Sequence, residues 1–276
     1  MSSENKPSQN LSSKYKQVQQ WYDHNAERFS DVVALERPFP ELTRDQQRRL
    51  SRFKLWQVMS DESLSLVGKR VLDFGAGHGR LALEMPVYAE YVGVDFSTEL
   101  VRIGQERLAR AGLADRARLV AAECLEYQGP ADHFDVVCSL GMFAYVEDEQ
   151  KILQKMAHHL RPGGVLFIDG HIASPLYDPV RKLRWRFSSP TGGTSRLFQH
   201  RELTELYRGA GISDVQIVMR EYPMLGELYA RRGWEWPLEL RNSLAGWRWL
   251  DFLATDFIAI GRKPVTSAHP GDTTNV

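Results

Sequence analysis

The chain is short of cysteine, of net charge and of long apolar runs, and each shortage removes a class of protein. Only Cys124 and Cys138 occur among 276 residues. They stand in separate strand-like segments without zinc-ligand spacing or a disulfide framework, so both are expected to be reduced core residues, and no metal site is expected. Lys and Arg total 35 against 35 Asp and Glu, so no overall field draws the chain to nucleic acid or to an anionic membrane. No apolar run approaches the ~20 residues that cross a bilayer. The start, Met1-Ser2-Ser3-Glu4-Asn5-Lys6, lacks the apolar h-region of a secretory signal, and a cytoplasmic location is expected.

What is present is an ordinary globular composition, 43% hydrophobic, enough for one α/β domain with additions. Residues 1–13 and 265–276 are polar and read as disordered tails. Residues 14–68 read as an N-terminal helical lid. It has a first helix over 14–30 carrying Tyr15, Val18, Trp21, Tyr22 and Phe29, and a second over 41–60. Arg37-Pro38-Phe39-Pro40 separates them, because proline breaks a helix.

From residue 69 short apolar runs alternate with helices. Strands are predicted at 70–74, 91–95, 117–122, 134–139 and 165–169, with helices opening at Arg80, Thr98 and Asp148 between them. Arg161-Pro162-Gly163-Gly164 reads as a turn, 201–209 as a short helix, and 215–219 and 256–260 as two last strands. Runs apolar on both faces and separated by helices predict a parallel sheet covered on each side. Over 69–264 the expected fold is α/β, a Rossmann-like, seven-stranded, mostly parallel sheet. It carries cap-like insertions at about 171–199 and 224–254.

Two acids stand at the ends of predicted strands. The first is in Val71-Leu72-Asp73-Phe74-Gly75-Ala76-Gly77-His78-Gly79, a strand that turns through glycines into a helix. Glycines let the chain turn sharply and bring its backbone against a ligand. Asp73 would repel a pyrophosphate there but hold an α-amino group. The second is in Val92-Gly93-Val94-Asp95-Phe96-Ser97, about 20 residues on, the spacing that suits an acid hydrogen bonding ribose hydroxyls. The bland reading makes Asp95 and Ser97 only the start of the next helix.

These blocks closely resemble the class I S-adenosylmethionine-dependent methyltransferases. Val71 to Ala82 resembles their first motif and Val92 to Ser97 the acidic strand end that follows. Phe134-Asp135-Val136-Val137-Cys138-Ser139-Leu140 resembles the fourth-strand motif. Leu160-Arg161-Pro162-Gly163-Gly164-Val165-Leu166 resembles the turn before strand five. The resemblance implies S-adenosylmethionine as cofactor. Asp73 and the Gly75 and Gly77 backbone would hold its methionine part, Asp95 the ribose hydroxyls, and Phe96 the adenine face. Glu123, followed by Cys124 and Leu125, would accept from the adenine amino group, where the family more commonly has aspartate. Leu140 and Gly141 would lie along the methionyl chain. The segment Trp21-Tyr22-Asp23-His24-Asn25-Ala26 resembles the family's lid, so Tyr15, Tyr22 and Phe29 are candidates to cover sulfonium or acceptor.

A sulfonium is already electrophilic, so methyl transfer asks mainly for an in-line, desolvated acceptor, with a base only where a proton must leave. His171, after the fifth strand, is the candidate base; a plain loop histidine is the competing reading. His78 reads as filler of the glycine loop, and His158 and His159 as solvated residues favouring the helix dipole. The segment 224–254 holds Trp234, Trp236, Trp247 and Trp249 among arginines. It reads as a cap packing on the sheet edge, as the wall of an apolar acceptor pocket, or, with the basic-aromatic run 181–187, as a peripheral membrane contact. The loop Ser139-Leu140-Gly141-Met142-Phe143 lacks the Pro-Pro-aromatic signature of DNA or protein amide methyltransferases, and no RNA-binding module is visible. The expectation is methyl transfer to oxygen or nitrogen of a small molecule, apolar or lipid-like acceptors included. The alternatives are a non-catalytic S-adenosylmethionine-binding protein, or a methyltransferase acting on RNA or protein. The sequence leaves the acceptor and the oligomeric state open.

Overall fold

The structure, a computed structural model, describes residues 13–27, 65–174, 178–179, 196–220 and 254–265. Phe29, the helix expected at 41–60, the 181–187 run, nearly all of the Trp-rich 224–254 segment and both tails lie outside them. Tyr15 falls in the first helix, but its side chain is not among those described.

The described elements are α1 (Ser13–His24), β1 (Arg70–Phe74), α2 (Arg80–Glu84), β2 (Glu90–Asp95), α3 (Thr98–Arg110), β3 (Ala117–Ala121), β4 (Phe134–Ser139), α4 (Glu149–His159), β5 (Leu160–Ile172), β6 (Leu197–Phe198), α5 (His200–Gly209), β7 (Ser213–Arg220) and β8 (Asp256–Arg262). Side chains set several helix starts. The Ser97 hydroxyl accepts the Leu100 N–H at 3.2 Å to open α3. The Asp148 carboxylate accepts that of Lys151 at 3.0 Å to open α4.

The main sheet runs β3-β2-β1-β4-β5-β8-β7, and β6 pairs with β5 beside it. Strands β1 to β5 are parallel, while β8 is antiparallel to both β5 and β7. Thus the seven-strand expectation holds for the main order, and the eighth strand is a two-residue addition too short for periodicity to show.

Both faces of the sheet are buried. Leu72, Phe74, Val94, Val137 and Ile168 pack with Leu153 and Met156 of α4 and Tyr207 of α5. Val71, Tyr91, Val136, Cys138 and Phe167 pack with Leu81 of α2 and Val101 and Leu108 of α3. Helix α1 lies against α3, where Ala26, Leu100 and Ile103 cluster with Trp21 and Tyr22.

Two expectations need correction. Arg161 to Gly164 is not a separate turn but an irregularity inside β5, between the pairs Phe134–Leu160 and Val136–Val165. The Gly163 N–H donates to the Lys263 carbonyl at 2.8 Å and the Lys263 N–H to that of Gly164 at 3.1 Å, so the residue that follows β8 holds the bulge in the ladder. His159 is buried rather than solvated. Its Nδ1 pairs with the Pro130 carbonyl at 2.9 Å, because the last turn of α4 folds under the β4 end of the sheet.

Candidate active site

The strand order reverses between β1 and β4, and in open α/β sheets the ligand crevice lies outside the carboxyl ends of the strands at such a point. Asp73 and Cys138 are paired across it. The glycine loop leaves β1 there and is fastened to β2. The N–H groups of Gly75 and Ala76 both donate to the Val94 carbonyl, at 2.8 and 3.1 Å. Gly77 donates its N–H to the Asp95 carboxylate at 2.8 Å, and Ser97 donates its own to the other Asp95 oxygen at 2.9 Å.

Close approach makes two glycines necessary. Gly75 has φ +77°, and a Cβ on it would lie 2.5 Å from the Met142 Cβ in the loop after β4. Gly104 of α3 lets the helix rest on the loop, since a Cβ there would meet the His78 carbonyl oxygen at 2.7 Å.

Three acids gather at this end of the sheet. Asp73 is almost fully buried and accepts the Tyr91 hydroxyl at 2.6 Å and the Cys138 thiol at 3.5 Å. Burial pushes its carboxyl up to about 7; the two hydrogen bonds oppose this, and Asp95 and Asp169 add to it. Burial likewise pushes Asp95 up to about 6, opposed by the Ser97 and Gly77 N–H groups and reinforced by Asp23. Asp169, in β5, accepts the Gly141 N–H at 2.6 Å and so joins β5 to the loop after β4.

Helix α1 closes over the β2–α3 junction. The Gln19 amide donates to the Phe96 carbonyl at 2.8 Å. The Ser97 hydroxyl donates to Asp23 at 2.5 Å. The Tyr22 and Phe96 rings meet edge-on with centroids 6.0 Å apart. Burial pushes the Tyr22 phenol up, and its proximity to Tyr145 and Asp95 pushes further. The phenol therefore stays a neutral hydrogen-bonding group above Asp95.

Two buried carboxyls pushed up beside this loop favour a cationic ligand. The model of a family described as "Methyltransferase domain" matches residues 42–217. The chain belongs to that family. Among curated relatives, a ubiquinone/menaquinone biosynthesis C-methyltransferase of Vibrio vulnificus (strain YJ016) is 29% identical over 138 residues, 47% of this chain and 52% of that one. The chain thus spans about half the length of the curated relatives it matches. A solved geranyl diphosphate C-methyltransferase from Streptomyces coelicolor A3(2), in complex with Mg2+, geranyl diphosphate and S-adenosyl-L-homocysteine, superposes with a TM-score of 0.66. Its identity is 13%, with 94% of this chain and 100% of that chain covered. The [4+2]-cyclase SpnF gives a TM-score of 0.62 at 20% identity, covering 92% and 97%. These structures establish the fold, and the cyclase shows that the fold alone does not fix the chemistry.

Most of the residues expected in this methyltransferase-domain site converge on it. Asp73, Gly75, Gly77, Asp95 and Phe96 stand around the loop and the end of β2. Leu140 is partly buried after β4. Glu123 follows β3, where its carboxylate accepts the Leu125 N–H at 2.7 Å. The Cys124 thiol, buried and pushed up by burial, lies 3.6 Å from the Met142 sulfur. His78 is buried and its ring, lowered to about 4 by burial and by Arg107 and Arg80, is neutral, as filler requires. His171 is the next-to-last residue of β5 rather than part of a loop after it. Asp23, Tyr91, Tyr145 and Asp169 were missed. Asp169 carries the same signal as Asp73 and Asp95, an acid ending an apolar strand. Tyr91 looked like any apolar strand residue.

Proposed function

We propose that the protein transfers a methyl group from S-adenosylmethionine to an oxygen or nitrogen of a small molecule. The observation that carries this reading is the meeting of Asp73 and Asp95 at a glycine loop, with Asp169 on the neighbouring loop after β4, at the switch point of a methyltransferase-domain chain. The buried carboxyls of Asp73 and Asp95, pushed toward neutrality, are relieved by a ligand that brings positive charge, and the cofactor brings two, an ammonium and a sulfonium. It supplies the methyl group on that sulfonium. Asp95, already bonded to Gly77 and Ser97, would take the ribose diol, and Phe96 would pack on the adenine. Asp73 would hold the amino end of the methionine part through the loop, and Leu140 would line its chain. Glu123 and Cys124 would border the adenine edge. Tyr22, with Tyr15 and Phe29, would cover the reacting atoms and exclude water.

By their names, one relative serves ubiquinone and menaquinone biosynthesis and one solved neighbour is a geranyl diphosphate C-methyltransferase, which supports a small and partly apolar acceptor. The same names favour a second reading, with carbon as the methylated atom.

Incubation of the full chain with S-adenosylmethionine and a panel of phenols, catechols, amines, carboxylic acids and isoprenoid-tailed phenols tests the proposal. Acceptor-dependent release of S-adenosylhomocysteine and a methylated product is expected, and product NMR assigns the atom. Binding of S-adenosylmethionine without acceptor-dependent release across the panel would make the protein a binder. Failure to bind it at all would remove the cofactor assignment.

A further inference from the structure

His171 meets a partner that no local pattern announces. It pairs in register with Asp256 across the antiparallel β5–β8 ladder, and its Nδ1 is bonded to the Asp256 Oδ1. The two residues are 85 apart in the chain, and both side chains are only partly exposed. The Asp256 carboxylate is itself steadied, its Oδ2 accepting the Thr255 hydroxyl at 3.4 Å.

The pair stands at the carboxyl end of β5, the end of the parallel strands that carries the glycine loop. Asp169, two residues earlier on the same side of β5, reaches the Gly141 N–H after β4. That side of the strand end therefore faces the loop bordering the proposed cofactor site, with His171 one step further out. An imidazole whose Nδ1–H is held by a carboxylate presents Nε2 as a lone pair, and the carboxylate stabilises the imidazolium formed when Nε2 takes a proton.

We propose that Asp256 is a positioning residue. It fixes His171 as the Nδ1–H tautomer, so that Nε2 accepts the proton of an acceptor hydroxyl or neutral amine as the methyl group is transferred. This rests on the methyl-transfer reading above. The acceptor oxygen or nitrogen bonds the methyl carbon as the carbon–sulfur bond breaks. That bond's electron pair stays on sulfur, and the acceptor's proton passes to Nε2 and then to water.

Three groups bear on the charge of this pair among the described residues. Asp256 comes from β8 and Asp169 from β5 itself. Arg196 precedes β6, its guanidinium taken by Glu149 at 2.5 Å and by Glu202.

The test uses the full chain labelled with 15N-histidine, with Asp256→Ala, Asp256→Glu and His171→Asn variants. Long-range 15N–1H spectra, assigned by loss of the signal in His171→Asn, report the tautomer without any acceptor. The expected result is an Nδ1–H ring in the wild type, a shift toward Nε2–H in Asp256→Ala, and recovery in Asp256→Glu. Should the alanine variant not fold, Asp256→Asn serves, because an amide turning its nitrogen to Nδ1 favours the opposite tautomer. With catechol as probe acceptor, Asp256→Ala should lower kcat about 10- to 100-fold and leave KM for S-adenosylmethionine within about twofold.

A tautomer indifferent to Asp256 overturns the proposal, whatever turnover does. So does loss of turnover in His171→Asn with Asp256→Ala at the wild-type rate. An Asp256-dependent tautomer in a chain that methylates nothing in the panel would support the pair and count instead against methyl transfer.

Discussion

The Asp95 carboxylate accepts the Gly77 N–H at 2.8 Å, joining the end of β2 to the middle of the glycine loop. Through its other oxygen it also holds the Ser97 N–H at the start of α3. One side chain thus sets the loop, the helix start and the proposed ribose contact. Replacing it by alanine leaves two N–H groups without an acceptor, each worth about 1–3 kcal/mol when buried. Asp95→Ala is expected to weaken S-adenosylmethionine binding at least tenfold by calorimetry, and unchanged affinity would separate Asp95 from the cofactor.

Asp73 and Asp95 make the ligand-free protein less stable as pH rises. Their carboxyls are pushed up to about 7 and about 6 in the fold, against about 4 in an unfolded chain. Between pH 4 and 7 the folded state therefore binds more protons, and stability falls with increasing pH. The destabilisation is complete above about pH 7. Thermal unfolding from pH 5.5 to 8 should show a declining Tm that flattens in Asp73→Asn, with that variant the more stable one at pH 8. A wild-type Tm that rises over this range, with the variant following it, would remove the argument.

The same acids couple cofactor binding to protons. A cation favours the charged carboxylates, so S-adenosylmethionine should bind more tightly as pH rises from 5.5 to 7.5 and should release protons on binding. Calorimetry in buffers of different ionisation enthalpy measures the release. S-adenosylhomocysteine, without the sulfonium charge, should show a shallower dependence.

Gly75 tolerates no side chain for two independent reasons, its φ of +77° and the 2.5 Å approach a Cβ would make to the Met142 Cβ. Gly75→Ala should cost on the order of 1–3 kcal/mol in chemical unfolding and abolish measurable cofactor binding. A variant with full affinity would show that the loop after β4 moves freely away from the glycine loop.

Asp23 fastens α1 to the N-terminal end of α3 through the Ser97 hydroxyl. Asp23→Ala should raise hydrogen exchange in residues 16–24 while leaving β1, β2 and β4 protected. Bound S-adenosylmethionine should reduce exchange there if α1 covers it. Exchange identical to the wild type would mean that Trp21 and Tyr22 packing alone keeps the helix in place.

Much of this was legible in the linear chain because its causes are local. Alternating apolar runs and helix starts at Ser97 and Asp148 placed β1 to β4 and the helices between them to within a residue or two. Glycines beside an acid placed the loop, and the same logic extended to β5 would have included Asp169. The Arg161 to Gly164 bulge misled, because a Pro-Gly-Gly run marks a turn unless a neighbouring segment supplies hydrogen bonds, as Lys263 does just after β8.

The sequence by itself determined the parallel sheet, the glycine loop and the two acids that end β1 and β2, since each depends on residues a few positions apart. Tertiary structure alone decided that Tyr91 sits on Asp73, that Asp23 reaches Ser97, and that Asp256 meets His171. Those pairings depend on strand order, on antiparallel register and on how a helix docks. Such relations are fixed by packing over the whole sheet, and no spacing along the chain encodes them.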